Sequence, residues 1–125
     1  MLEQKKQEFS THVKELQNKI CDQMRSMDPG IELNEDIWHR SDYKGNPGGG
    51  GITRAFQGEI FENAGVNTSE IYGSINPEFA KKLKGDSDQL WAAGISLILH
   101  PRNPRIPTVH ANFRMIQQGD SFWFG

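Results

Sequence analysis

Two segments near the end of the chain alternate strictly between two sets of residues, and this pattern restricts the fold more than any other feature. The segments are residues 94–100, "GISLILH", and 108–115, "TVHANFRM". One side carries Ile95, Leu97, Leu99, Val109, Ala111, Phe113 and Met115. The other side carries Ser96, Ile98, His100, Thr108, His110, Asn112 and Arg114. A period of two is typical of half-buried strands, and the connector "PRNPRIP" is stiffened by its prolines. The pattern therefore predicts an antiparallel hairpin with a stiff loop.

The polar side of this hairpin gathers groups that cost free energy when they are buried without a partner. The cost is about 1–3 kcal/mol for each neutral group and more for Arg114. This side is therefore expected to meet water or a polar ligand. Arg114 suits a carboxylate or phosphate, with a surface salt bridge as the alternative. His100 and His110 suit a metal ion, although no third ligand lies at a recognisable spacing, or acid–base chemistry near neutral pH.

An apolar stripe with a helical period runs through residues 2–27. Its members are Leu2, Phe9, Val13, Leu16, Ile20, Met24 and Met27. They are three, four or seven positions apart, so they fall on one face of a helix. "DPG" at 28–30 ends the predicted helix. Because the opposite face is not basic, the pattern favours a packing helix over a membrane-surface or calmodulin-like one.

The middle of the chain is less regular, and residues 31–62 are predicted to be irregular or strand-like. "GNPGGGGITR" at 45–54 is predicted to be a loop, either ordinary or flexible and next to a site, because it matches neither a P-loop nor a dinucleotide fingerprint. Residues 62–75 mix β-branched residues with Asn and Gly, which predicts a turn between two strands. Residues 76–85 predict a short helix capped by Asn76, with Pro77 first and Gly85 at its end.

The composition indicates a single soluble domain. The net charge is −2 without a Lys/Arg block, which does not indicate nucleic-acid binding. No apolar run approaches the roughly 18 residues that span a membrane. The single Cys21 is predicted to be reduced and structural, and the N-terminus lacks a signal-peptide pattern, so a cytoplasmic location is predicted. The patterns alone predict an α+β domain whose polar, cation-bearing hairpin face binds an anion.

Four segments also occur in the order and spacing of one enzyme family. They are "PGGGGITR", "GEIFENAGVN", "GISLILHPRNPRIPTVHANFR" and "FWFG". From about Trp38 to Gly125, the chain resembles the oxygen-dependent coproporphyrinogen III oxidases. The long third segment, with three prolines and two histidines, carries most of this likeness. The resemblance implies an α+β fold in which an antiparallel β-sheet has helices packed on its faces, and it implies a homodimer.

The resemblance implies an oxidoreductase of haem and porphyrin biosynthesis. Members of the family oxidatively decarboxylate two propionate side chains of coproporphyrinogen III to vinyl groups, which gives protoporphyrinogen IX. Ser96, Asn112, Phe113 and Arg114 match family positions that line the substrate site. Arg114 would bind a propionate through charge-assisted hydrogen bonds.

The resemblance also implies which cofactors and histidines take part. O2 is the oxidant, and no flavin, haem or nicotinamide is used. His110 matches the position assigned as proton donor. His100 and His110 together match positions assigned in some members to a divalent metal cation.

Family sequences continue beyond "FWFG" with glycines, an Asp-Leu-Thr-Pro segment and further histidines. Residues 1–125 thus resemble the N-terminal part of a single coproporphyrinogen oxidase-like domain, C-terminally truncated. Alone, the chain is expected to be inactive and weakly stable, and its apolar end at 122–124 is expected to have nothing to pack against. Two alternatives stay open. One is a non-catalytic remnant that binds a tetrapyrrole or another anion, and the other is a small metal-binding scaffold that uses the two histidines.

Overall fold

A computed structural model describes residues 2–125, which form a six-stranded sheet and two helices. In chain order these are α1 (Leu2–Met27), β1 (Glu32–Ser41), β2 (Pro47–Gln57), β3 (Phe61–Ser74), α2 (Pro77–Ala80), β4 (Gln89–Pro101), β5 (Val109–Gln118) and β6 (Ser121–Phe124). Every strand is antiparallel to the next one along the chain, and the sheet order follows the chain order. The predicted α+β class with an antiparallel sheet is confirmed. Within residues 2–125, no helix is both long and apolar enough to cross a bilayer.

The helix α1 packs on one side of the sheet, against β3 and β4. This side is named the first face, and the opposite side is named the second face. The main core lies between α1 and the first face, and its buried members are Val13, Cys21, Met24, Phe56, Phe61, Ala64, Val66 and Ile95. The helix residues of this core recur at helical spacing, and the strand residues occupy alternate positions. The apolar stripe of the helix therefore packs against the apolar side of the strands in one layer.

The predicted helix 2–27 is confirmed, but its buried stripe is more polar than predicted. Ser10, Gln17 and Cys21 are buried, whereas Met27 is 51% exposed. Ser10 donates to Glu70 across the core edge, with an Oγ–Oε2 distance of 2.6 Å. Compared with the predicted stripe, the buried side of α1 is rotated towards residues that hydrogen-bond the strands of the sheet.

Gln17 shows how a polar group is accommodated under α1. Its side chain is 1% exposed, and its Nε2 donates to the carbonyls of Ile52 and Val66 at 3.0 and 2.9 Å. Its Oε1 accepts from the Thr68 hydroxyl at 3.2 Å. Because the amide nitrogen and oxygen both have partners, its burial costs little, and the contacts fix the position of α1 over β2 and β3.

Two aspartates accept backbone N–H groups and so join the ends of neighbouring elements. The buried Asp28 follows α1, and its Oδ2 accepts the N–H groups of Ile60 and Phe61 at 2.9 and 3.3 Å, which joins the helix end to the turn after β2. Asp42 follows β1, and its carboxylate accepts the N–H of Ser74 at the end of β3, at 3.0 Å. It also accepts two N–H groups of its own turn. Hydrogen bonds from the backbone of Ser74, Asn46 and Lys44 lower the pKa of Asp42 below its ordinary value.

The prediction of a glycine-rich loop at 45–54 is wrong, because most of this segment lies in β2. The glycines are required by close approach to the neighbouring strands. A Cβ on Gly50 would lie 2.1 Å from the Trp38 carbonyl oxygen, and one on Gly51 would lie 2.5 Å from the Thr68 carbonyl oxygen. Composition predicted a loop, whereas pairing on both edges makes a strand.

The prediction of a turn within 62–75 is also wrong, because β3 is continuous from Phe61 to Ser74 and pairs with β2 and β4. Asn67, read as turn punctuation, instead accepts the backbone N–H of Arg54 through its side chain at 3.1 Å. A central strand can override the weak local preference of Asn and Gly because both of its edges are hydrogen-bonded.

The short helix after β3 has the predicted cap but not the predicted end. The Asn76 side chain accepts the N–H of Glu78, Pro77 is the first helical residue, and the helix ends at Ala80 rather than near Gly85. Gly85 is held elsewhere, because its N–H donates to Oε1 of the buried Gln118 at 2.7 Å. Gln118 also donates to the Ala80 carbonyl, which holds the α2 segment against the sheet.

The end of the chain, at 122–124, forms most of the edge strand β6, which pairs with β5. The expectation that it has nothing to pack against is wrong in part. The ring of Phe124 contacts Phe9 of α1 edge-on, with centroids 6.0 Å apart. Phe124 is nevertheless 63% exposed, so this strand is covered on little of its first face.

Candidate functional site

The predicted hairpin is confirmed, and it forms part of a wider polar surface. Neighbouring strands are in register, so side chains on the second face line up in rows across the sheet. The polar row consists of Asp36, Thr53, Asn67, Ser96 and Asn112, one residue from each of β1 to β5. The adjacent glycine row consists of Trp38, Gly51, Ser69, Gly94 and Arg114. Both rows lie on the side opposite α1.

The glycine row lets two large side chains lie flat on the sheet. A Cβ on Gly94 would lie 2.7 Å from Cγ of Arg114, so the arginine crosses β4 at the position where no side chain stands. Its Nη1 then donates to Ser69 Oγ on β3, at 3.3 Å. At the other end of the row, the Trp38 ring covers Gly51, and a Cβ there would be 2.5 Å from Cζ2. The two side chains thus frame a shallow floor around Ser69.

Among residues 2–125, no carboxylate balances the charge of Arg114. The four ion pairs found among residues 2–125 do not include it, and its guanidinium contacts the neutral Ser69. The side chain is half-buried. A partly buried cation without a counter-ion attracts an anion, so the surface salt bridge considered from the sequence is not what the structure contains.

The two histidines lie diagonally across the hairpin, because His110 is opposite Ile98, two residues before His100. Their Nε2 atoms are 2.7 Å apart. The ring centroids are 5.0 Å apart and the rings are tilted by 2°. For two imidazoles at this centroid distance, 2.7 Å is about the smallest possible nitrogen separation, so both nitrogens lie on the line between the centroids. The rings therefore meet edge to edge in a hydrogen bond rather than face to face.

This arrangement does not fit a divalent metal ion held between the two histidines. Two imidazole nitrogens on one tetrahedral zinc ion, at bonds of about 2.0–2.1 Å, lie about 3.4 Å apart. Here the lone-pair directions of the two Nε2 atoms point at each other and do not converge on a third point. Across residues 2–125, no group of three or more His, Cys, Asp or Glu side chains is placed to hold a metal. Binding one at this pair would require both rings to turn.

Most of the predicted site residues share the second face. These are Ser96, His100, His110, Asn112 and Arg114. Phe113 does not join them, because it is opposite Ile95, which is buried beneath α1. Its ring is 57% exposed on the first face. Only the backbone of Phe113, between its two neighbours, can contribute to a second-face site.

Sequence reasoning missed the part of the surface that β1, β2 and β3 supply. The missed residues are Asp36, Trp38, Thr53, Asn67 and Ser69. Their positions are linked by contact, since the Trp38 indole N–H donates to Thr53 Oγ1 at 3.2 Å. The alternation of Ala64, Val66 and Thr68 with Gly65 and Asn67 is a usable signal for a strand, but the local preference of Asn and Gly for turns opposes it.

Comparison with known proteins identifies the family of this chain. The family model described as Coproporphyrinogen III oxidase matches residues 8–125, which adds most of α1 to the segments noticed in the sequence. A chloroplastic coproporphyrinogen-III oxidase 1 of Arabidopsis thaliana is 41% identical over 117 residues. The alignment covers 87% of this chain and 29% of that protein.

Two further relatives carry the name oxygen-dependent coproporphyrinogen-III oxidase. One, from Prochlorococcus marinus strain MIT 9515, is 40% identical over 88% of this chain and 32% of its own length. The other, from Glycine max, is described as chloroplastic and is 39% identical over 87% of this chain and 29% of its own length. The chain spans about a third or less of the curated relatives that it matches. With nearly all of its length covered by the family model, the chain belongs to the coproporphyrinogen III oxidase family.

Proposed function

We propose that this chain supplies the substrate-facing sheet of an enzyme that oxidatively decarboxylates coproporphyrinogen III to protoporphyrinogen IX with O2. The names of its relatives support this activity for the complete enzyme. The observation that carries the proposal is the half-buried Arg114, which has no carboxylate partner among residues 2–125 and lies on the same face as Ser96, Asn112 and His110. These groups match the needs of a ligand that bears carboxylates.

The spacing of the groups favours a large ligand over a small anion. Arg114 and His110 are four residues apart on β5, and a strand rises about 3.3 Å per residue, so their backbones are about 13 Å apart. A single carboxylate cannot contact both side chains. A macrocycle with propionate arms on its rim can place one arm on Arg114 while another part of the ring lies near His110. Asn112 and Ser96, midway between them, would hydrogen-bond the ligand.

The chemistry gives His110 a defined task. When a propionate arm becomes a vinyl group, it loses CO2, one proton and two electrons. Reduction of O2 to peroxide by those two electrons consumes two protons, so each decarboxylation needs one proton more than the arm releases. We assign this proton to His110, and its exposure at the end of the polar surface supports the assignment. Arg114 and the amide of Asn112 would hold the ring in position while this happens.

Isothermal titration of the 125-residue chain with coproporphyrin III, the oxidised form of the substrate ring, tests the binding part of the proposal. Arg114→Ala is expected to weaken binding about ten- to hundredfold, because a hydrogen bond to a charged group contributes about 1.5–3 kcal/mol. Arg114→Lys should recover part of the loss, since it keeps the charge but not the two-pronged geometry.

Arg25→Ala is the matched control, because Arg25 is an exposed arginine of α1 that pairs with Asp22. It should leave the affinity unchanged. Equal affinities for Arg114→Ala and Arg25→Ala would contradict a binding site on the second face.

A non-catalytic tetrapyrrole-binding protein is the second candidate, and the exposure of Asp36 and Asn112 in the polar row favours it for these 125 residues alone. Incubation of the chain with coproporphyrinogen III in air, followed by chromatography of the products, tests whether the chain alone is catalytic. Binding without vinyl products is expected of both candidates, whereas vinyl products would exclude the second candidate. Protoporphyrinogen formed by this chain would also contradict our expectation that it is inactive alone.

Three finer predictions from the sequence belong to this proposal. A homodimer is a property that we extend from the resemblance, and a cytoplasmic location stays a prediction. A divalent metal at His100 and His110 also stays a prediction of the resemblance; it would require both rings to turn from the positions described above, and no step above depends on it.

A further inference from the structure

We propose that His100 is a positioning residue for His110, holding the ring through one Nε2–Nε2 hydrogen bond and placing the His110 proton on Nδ1. The importance of this proton for the reaction rests on the proposed function. The hydrogen bond does not, because it follows from the geometry of the hairpin, whereas its direction also rests on the proton-donating role of His110 in the proposed function.

The first step is that one hydrogen must lie between the two nitrogens. At 2.7 Å, two bare Nε2 atoms would face each other with their lone pairs, which is repulsive, whereas one donor and one acceptor form a bond. The edge-to-edge geometry puts that hydrogen on the line between the rings. In each histidine, Nδ1 is therefore the ring nitrogen that takes no part in this bond.

The second step assigns the direction of the bond. A His110 that donates from Nε2 in its neutral form would have a bare Nδ1 and could give no proton through its free edge. A neutral His110 that accepts at Nε2 carries its hydrogen on Nδ1. It can give this hydrogen to a ligand and stay neutral because its Nε2 takes the shared hydrogen from His100, while Nδ1 of His100 takes a proton from water. The second arrangement requires His100 to carry the hydrogen on Nε2. We therefore assign His100 as donor and His110 as acceptor.

The third step explains why the pair keeps its geometry. The connector between the two histidines is anchored rather than free, since Arg102 N–H donates to the Ile60 carbonyl at 2.8 Å and its side chain donates to the Gly58 carbonyl at 2.9 Å. Within the connector, Asn103 accepts the N–H groups of Arg105 and Ile106. Together with the prolines, these bonds fix the ends of β4 and β5, and so the distance between the histidines.

Long-range ¹H–¹⁵N NMR of the uniformly labelled 125-residue chain tests the proposal without substrate or turnover. At about pH 8, where free imidazole is neutral, the two nitrogens of each ring show which one carries the hydrogen. We expect His110 mainly as the Nδ1–H tautomer, whereas free histidine prefers Nε2–H. His100→Leu should reverse this preference, so that Nε2–H becomes the major form of His110. His100→Gln retains an N–H donor near the former Nε2 and should restore Nδ1–H.

His39→Gln is the matched control, because His39 is an exposed histidine of β1 that lies on the first face, and it should leave His110 unchanged. Mainly Nε2–H at His110 in the unmodified chain would overturn the proposal, even if His100→Leu failed to fold. An unchanged tautomer in a folded His100→Leu chain would overturn it as well. So would zinc at one equivalent shifting the nitrogens of both rings together, because the pair would then be a metal site. Failure of coproporphyrin binding, by contrast, would affect only the proposed function.

Discussion

The two faces of the sheet differ in the partners that they give to an arginine, as Arg54 and Arg114 illustrate. On the first face, Arg54 donates to Glu35 at 2.8 Å and to Asn18 at 2.8 Å. Partial burial works against its charge, but the hydrogen bonds to Glu35 and Cys21 outweigh it and raise the pKa of Arg54. On the second face, Arg114 has no carboxylate partner among the described residues. One arginine completes the fold, and the other is the one that we propose binds a ligand.

The comparison teaches that stability and binding are separated by the alternation of the strands. Residues at odd and even positions of one strand share a backbone, yet one set packs under α1 and the next set faces outward. Substitutions on the first face should therefore change the free energy of unfolding, and substitutions on the second face should change affinity. The following predictions test that separation, from the largest expected effect to the smallest.

Phe56→Ala should cause the largest loss of stability. The side chain is 2% exposed within the main core, and removing a buried phenylalanine typically costs about 3–5 kcal/mol. Urea unfolding followed by circular dichroism measures the change. Phe56→Leu, expected to cost less, keeps the test open if the alanine variant does not fold. Asn112→Ala on the second face should lie within about 0.5 kcal/mol of the unmodified chain. A loss of stability in Asn112→Ala comparable to that in Phe56→Ala would contradict the separation of stability and binding between the two faces.

Gly94→Ala is an exception to this separation, because it should affect both the free energy of unfolding and the affinity for coproporphyrin. The new Cβ would lie 2.4 Å from the Phe113 carbonyl oxygen and 2.7 Å from Arg114 Cγ, so the backbone and the arginine must both move. We expect a loss of about 1–3 kcal/mol in unfolding free energy, together with weaker coproporphyrin binding. Gly65→Ala is the control on the same face, since its nearest contact is 3.5 Å away. Equal behaviour of the two variants would show that the floor of the glycine row is not crowded.

Asp42 belongs to neither face and should have the smallest effect, visible in acid. Its pKa is lower in the folded chain than the ordinary 3.8, so folding favours its ionised form. This contribution is complete above pH 3.8 and is lost as the pH falls through the lower folded value. In urea unfolding between about pH 5 and pH 2, Asp42→Asn should lose less stability than the unmodified chain does. Parallel pH curves for the two chains would contradict this role.

The sequence could predict the elements whose periodicity is strong. The helix 2–27 and the hairpin around "PRNPRIP" combine long periodic runs with clear ends, and both are confirmed. The second-face position of Ser96, His110, Asn112 and Arg114 follows from the same alternation. For these residues, period alone decides the face, because a strand has only two.

The rest depended on neighbours that a single sequence does not reveal. Gly51 belongs in β2 because the Trp38 ring covers it, and Asn67 belongs in β3 because it hydrogen-bonds Arg54. Both reasons are contacts between strands, so the local preference of Gly and Asn pointed to loops and turns instead. The approach of the two Nε2 atoms is likewise a product of register, which the spacing of ten residues could only suggest.

The placement of the indoles makes the two faces separately observable. Trp38 lies flat on the second face, whereas Trp91 is buried beside α1, with its N–H near Glu70 and Lys6 over its ring. Variants that retain only one of these fluorophores would emit from one side of the sheet at a time. Emission from Trp91 would follow detachment of the helix, and quenching of Trp38 would follow arrival of a porphyrin. The molecule thus contains two optical reporters, one for folding and one for the porphyrin binding that we propose.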